Sequence, residues 1–446
     1  MKPKRPALWL LLGIVLIAVI AVVVIPLVSR SDDDGAATPF SVHEDIHELP
    51  TTQWTRSYGD GSGMLPDLRV LDAGPGRALV VVAVDVSGYT ATATQLDLTM
   101  VDLDSGEEIW TSTAELDPDA FDRQWSGPAR VGEAGYVAFS LRNQDEDRQW
   151  SSEIRLYSTA DGSVETLTVD GYATATMADE TLYVAESDGE GREIAVRAYD
   201  VEDLGAPRAE FGVTGTGGQE LCVREQTLVI GEYVTGSGGS CWFPGTAVAV
   251  DRTSGEALPW SVPGTAGMQL RLDEGGLVAA GGDGEEYVVT RLADDGTQVW
   301  SVSVEEGAST NGYPWDDFVV ITGGDGLVQL DLETGEERWT RPDVEDGRVV
   351  LTMPERLLVR ADDELLWLDS ATGETLHAAL QADSDVWSPG ASPSYVYLQG
   401  SGWLIAYSHD GDEAWRMPLK ARHFGTTAGG HLLLIGWDGT EVSLLR

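Results

Sequence analysis

The chain has 446 residues, and 74 Asp and Glu against 28 Lys and Arg give it a formal net charge of −46. So acidic a surface excludes nucleic acid as a partner, because phosphate binding needs a basic face, and it disfavours adhesion to anionic lipid. Charge of this size solubilises a domain, or recruits basic partners and divalent cations.

Lys2, Lys4 and Arg5 come first, followed by residues 7–28, 22 positions without a charge. As a helix that run is about 33 Å long, enough for the ~30 Å hydrocarbon core of a bilayer. Asp32, Asp33 and Asp34 follow. The positive-inside rule therefore makes residues 1–6 a cytoplasmic tip, 7–28 a single transmembrane helix, and everything beyond extracytoplasmic, at the cell membrane. A cleaved signal peptide is the rival reading, although no A-x-A site is evident at the end of the run. No Cys lies there, so a lipoprotein anchor is excluded.

Residues 29–52 read as a polar tether. Inside it His43-Glu44-Asp45-Ile46-His47 spells H-E-x-x-H, which on a helix would put two imidazoles on one face for zinc. Between Pro39 and Pro50 there is no room for a stable helix and no scaffold, so the match reads as chance and no metal site is assigned.

From residue 53 to 446 one phrase recurs: an apolar run, an acidic residue, a Gly turn, then an aromatic or aliphatic residue. It is clearest at VDLDSGEEIW (101–110), LADDGTQVW (292–300), LDLETGEERW (330–339) and AYSHDGDEAW (406–415). The turn glycines 106, 162, 205, 255, 296, 335, 373 and 411 are separated by 56, 43, 50, 41, 39, 38 and 38 residues. A period of this size means stacked modules. Each unit reads as four short strands with no sustained helical period. One such sheet cannot bury both its faces, whereas a ring of them can, so the expected fold is all-β: a single β-propeller of four-stranded antiparallel blades. The Gly supplies the positive φ of a tight turn, and the Trp has a large face to lay across the neighbouring blade. Eight turns predict eight blades. Nine remain open, because HLLLIGWDGTEVSLLR at the C-terminus is a half-repeat without its outer strand, and QWTRSYG (53–59) reads as an outer strand without inner ones.

DLETGEERW and LADDGTQVW resemble the repeat of PQQ-like β-propellers, the family of quinoprotein dehydrogenases and of many propellers without a cofactor. The resemblance covers roughly 53–446. For a quinoprotein it would imply a calcium-held quinone packed between a Trp and, in the alcohol dehydrogenases, a disulfide of adjacent cysteines, with an Asp as base. Cys222 and Cys241 are not adjacent, and no stretch matches a cofactor site. PQQ and calcium are therefore unsupported by site residues, no catalytic residue is assigned, and the PQQ-dependent dehydrogenase stands as the alternative function. The resemblance also offers envelope assembly-factor propellers as an analogue.

Cys222 and Cys241 are the only cysteines. In an exported domain they are expected to form a disulfide, contributing about 3 kcal/mol for a loop of this length, with two free thiols as the rival. In a propeller the loop between second and third strands leaves on the same face as the connection to the next blade. These second-to-third loops are short in the last four units (GGDGEE, GGDG, ADDE, QGSG) and long in the first four (VSGYTATATQ, RNQDEDRQWSS, SDGEGRE, EYVTGSGGSCWFPG). With two inter-blade connections they carry Tyr89, Phe121, Trp125, Trp150, Tyr233, Trp242, Tyr313 and Trp315, a candidate patch, since Tyr and Trp anchor protein interfaces and stack on sugars. The expected function is a non-catalytic binding scaffold in the cell envelope, with envelope or secreted proteins, or glycans, as partners.

Overall fold

The structure, a computed structural model, describes residues 42, 44–58 and 67–446, apart from 85–94, 116–125, 130–134, 145–149, 188–192, 215–219, 232–246, 259–265, 305–316, 381–385 and shorter stretches between strands. The expected membrane helix (7–28) lies outside the described residues. Among those described, no helix is long and apolar enough to cross a membrane.

All regular structure among the described residues is antiparallel sheet. The first blade shows the pattern: strands Asp67–Asp72, Arg77–Val84, Gln95–Asp102 and Glu108–Glu115 pair in sequence order, each with the next. Similar meanders follow over 126–170, 172–214, 220–251, 266–304, 318–341, 348–380 and 387–418, the fourth and sixth with three described strands. A ninth sheet combines His423–Ala428, His431–Gly436 and Glu441–Leu445 with Thr52–Ser57 from the other end of the sequence. There are thus nine blades rather than eight. The terminal half-repeat and QWTRSYG complete one another, with Trp54 opposite Leu444 and Arg56 opposite Val442.

Alternation along the strands fills the spaces between blades. Leu79, Val81, Leu96, Leu98 and Met100 of the first blade cluster with Val137, Phe139 and Tyr157 of the second. At the closing junction Ile435 and Val442 of the ninth blade pack with Leu68, Val80, Val82 and Val101 of the first. Burial of such side chains contributes roughly 1.5–3 kcal/mol each, so a blade whose two junctions are both described is held from both sides.

The repeated phrase has a mechanical meaning. Gly106, Gly162, Gly335 and Gly373 all sit at φ near +71° or +72°. Against their bare Cα faces lie Trp54, Trp110, Trp300 and Trp339 of the preceding blades. The indole Nε1 of each donates to the carbonyl three residues before the Gly: Leu103 (3.0 Å), Thr159 (3.1 Å), Leu332 (2.8 Å) and Ser370 (3.0 Å). Phe211 and His377 take the aromatic position over Gly255 and Gly411. The third blade departs from the expected tight turn. Gly205 is not among the positive-φ glycines and meets no aromatic ring, because the chain there runs through an Asp200–Asp203 bridge. Gly296 lies outside the described residues.

The acidic residue of the phrase caps this turn. Asp331 Oδ1 accepts from the Thr334 amide (2.8 Å) and hydroxyl (3.0 Å), and Asp102 and Asp251 hold Ser105 and Ser254 in the same way. The Arg338 guanidinium first, and the Thr334 amide second, hold the Asp331 carboxyl down at about 2. A carboxyl depressed on folding stabilises the protein above its unfolded value of 3.8, and that contribution is lost as pH falls through about 2. Denaturant unfolding near pH 4 and pH 2 should show wild type losing about 1 kcal/mol more than Asp331→Asn over this interval. Equal losses would remove the capping role.

The expected tether is shorter than 29–52. Val42 and Ile46 are buried in a cluster with Tyr397, Leu404, Ala406, Trp415, Leu432 and Leu445, so the end of that segment is docked on the eighth and ninth blades. Residues 44–50 form no helix. Asp45 accepts from Ser392 and Ser394 instead of lying on a helix.

Candidate binding face

In an antiparallel meander the second and fourth strands run the same way, so the connections leaving their C-terminal ends start from one edge of the sheet. The strand order of the first blade therefore puts both ends of 85–94, which holds Tyr89, and the start of 116–125, which holds Phe121 and Trp125, at the same edge. The corresponding ends in later blades bracket 145–149, 232–246, with Tyr233 and Trp242, and 305–316, with Tyr313 and Trp315. Those residues lie outside the described set. Trp150 opens the third strand of the second blade, where its backbone pairs with Gln144, and its side chain is not described. The side chains of Cys222 and Cys241 are also outside the described set, so the expected disulfide remains an expectation.

The strands add what loop length could not. Third strands end at a fixed distance from the turn: Asp102, Ser158, Asp331 and Asp369 each stand four residues before the Gly at 106, 162, 335 and 373. Any extra length must therefore project at the opposite edge, where the candidate loops begin. The third strands of the first three blades have 8, 9 and 8 residues, and those of the fifth to eighth have 6 each. At about 3.3 Å per residue the first three blades rise roughly 7–10 Å above the later ones on that face.

This raised edge is braced by polar side chains. Asp97 accepts from Gln95 Nε2 (2.6 Å) and Thr113 Oγ1 (2.9 Å) across the first blade. Ser152, fully buried, donates to Gly171 O (2.9 Å) and accepts from Ala173 N (2.8 Å), stitching the second blade to the third. Arg155 pairs with Glu153 (2.8 Å), and Arg197 pairs with Glu186 and with Glu210 (3.2 Å). Burial raises the Glu186 carboxyl above its ordinary range despite that Arg197 partner.

The described aromatic rings Trp54, Trp110, Trp300, Trp339 and Trp415 sit on outermost strands, committed to blade contacts. Among the described residues no group of three or more His, Cys, Asp or Glu side chains could hold a metal ion.

Closed pairing of nine antiparallel sheets defines a β-propeller scaffold. The family model of the outer membrane protein assembly factor BamB matches residues 284–434, so that stretch of the chain is similar to a PQQ-like β-propeller repeat. No curated protein matches the chain. Among solved structures, BamB from Moraxella catarrhalis is 14% identical, with 89% of this chain and all of that one covered and a TM-score of 0.46. Sqt1 from Saccharomyces cerevisiae is 10% identical over 90% and 98% of the two chains, TM-score 0.43. The β-propeller domain of the Trilobed protease from Pyrococcus furiosus is 11% identical over 84% and 94%, TM-score 0.35.

Proposed function

We propose that this protein is a non-catalytic, protein-binding propeller, tethered by residues 7–28 to the cell membrane with its ring outside, and that it engages partner proteins on the face above its first four blades. The observation that carries the reading is the raised edge: third strands of 8 and 9 residues in the first three blades against 5 in the fourth and 6 in the fifth to eighth. The long loops of the first four units and two inter-blade connections carry Tyr89, Phe121, Trp125, Trp150, Tyr233, Trp242, Tyr313 and Trp315. Aromatic anchors on a rigid support are what protein interfaces use, and glycans are the second ligand class such rings serve. The match of 284–434 to an assembly-factor model supports a role in bringing envelope proteins together.

The test replaces 85–94 and 232–246 by the four-residue GGDG connection of the sixth blade in the full chain, then cross-links intact membranes and identifies the captured proteins. Captured envelope proteins should fall at least tenfold relative to wild type. Unchanged capture by a folded variant would refute the site.

A further inference from the structure

In the other blades whose third and fourth strands are both described, the two are consecutive in sequence, and where the repeat is regular the turn between them offers its carbonyl to the Trp of the blade before. The ninth blade lacks such a turn, because its third strand (Glu441–Leu445) and fourth strand (Thr52–Ser57) come from opposite ends of the sequence. Trp415 of the eighth blade nevertheless has its acceptor: Nε1 donates to Ile46 O at 2.7 Å. The segment 42 and 44–50 has taken the place of the missing turn.

That segment is held by a receptor on the eighth blade. Asp45 Oδ1 accepts from Ser392 Oγ (2.7 Å) and the Ser394 amide (2.9 Å), and Oδ2 accepts from Ser394 Oγ (2.6 Å). Ile46 N donates to Tyr397 Oη (3.2 Å), Val42 N donates to Ala391 O (2.9 Å), and His47 Nδ1 lies 3.2 Å from Tyr395 Oη. Val42 and Ile46, 2% and 8% exposed, fill the apolar part of the site. Burial opposes ionisation of Asp45, but the hydrogen bonds from Ser394 and Ser392 outweigh it and keep the carboxyl below its ordinary range. Immediately after the segment, Thr51 N donates to Arg446 O (2.9 Å) and Arg446 N to Thr51 O (3.2 Å), starting the closing strand pair.

We propose that residues 42–50 are a latch, read by Ser392, Ser394, Tyr397 and Trp415, whose docking locks the split ninth blade and whose release opens the ring at that blade alone. The latch contributes no strand to any sheet, so it is held by a handful of hydrogen bonds and two buried side chains rather than by a ladder, and can detach without global unfolding. It also lies directly between the N-terminal segment and the closing strand. Force or a competing partner acting on the N-terminal side would reach the latch before it reached any blade.

Amide hydrogen exchange on the full-length protein tests this. Asp45→Ala removes charge-assisted bonds and should speed exchange in 52–57 and 441–445 about tenfold or more, leaving 181–200 in the third blade unchanged. Trp339→Phe removes the equivalent indole bond at an ordinary junction and should leave 52–57 as in wild type. Ser394→Ala, a milder lesion, should give a smaller increase at the same two segments, and it decides the matter if Asp45→Ala fails to fold. Unaltered exchange in 52–57 and 441–445, or a uniform rise across all blades, would overturn the latch.

Discussion

Gly335→Ala should destabilise the protein by about 2–5 kcal/mol although it adds one methyl group. Two costs combine. Gly335 sits at φ +72°, where an L side chain meets its own backbone, at roughly 1–2 kcal/mol. Its Cβ would also stand 2.6 Å from Trp300 Cγ and 2.7 Å from Cδ2, inside any real contact distance. The indole cannot retreat without giving up its bond to Leu332 O, so overpacking adds about 1–3 kcal/mol. Gly402→Ala separates the two, since Gly402 is at φ +84° and an added methyl would have nothing within 4 Å. It should lose only the backbone part, about 1 kcal/mol. Denaturant midpoints of the two variants compare directly, and equal losses would mean that the Trp-on-Gly contact does not constrain the turn.

Leu444→Asp should cost more than about 4 kcal/mol and leave the ninth blade unpaired. Leu444 has no exposed surface, lies opposite both Leu433 and Trp54, and packs with Ala78, Leu103 and Ala428. No cation belongs to that cluster, so the carboxylate would be desolvated without compensation while the leucine's contacts were lost. Ser443→Asp, one residue away on the other face of the strand, should change stability by less than about 1 kcal/mol. Limited proteolysis before Thr52–Ser57 and the unfolding midpoint give the readout. A folded, protease-resistant Leu444→Asp protein would show that closure does not depend on this strand.

Much of this ring was legible in the sequence because the phrase encodes a contact as well as a turn. Gly106, Gly162, Gly255, Gly335, Gly373 and Gly411 all proved to be positive-φ positions under an aromatic ring. Counting the turn glycines gives eight because the ninth blade has no glycine turn between its third and fourth strands. The marker is missing at the one place where the two ends of the sequence meet. Asp45 and Ile46 were illegible for a related reason: the role of Ile46 depends on an indole 369 residues away, at Trp415. Two apolar residues in an acidic linker, and a chance H-E-x-x-H, concealed them. The only signal was that Trp415 had an aromatic role and no following turn to serve. Loop length suggested the candidate face, whose loops lie outside the described residues, and strand length depends on pairing that loop length does not report.

The pairing of Thr52 with Leu445 has a temporal cost. During synthesis residues 52–57 emerge well before their mate, which lies nearly four hundred residues further on, so this strand waits as an open edge while eight blades assemble beside it. Its exposed-intermediate alternation, with Thr, Gln and Arg along TQWTRS, makes that edge a poor template for a second chain. A ring closed by strands so far apart in time cannot be finished in part, and a nascent chain stalled before residue 441 would carry a permanent unpaired strand for quality control to recognise.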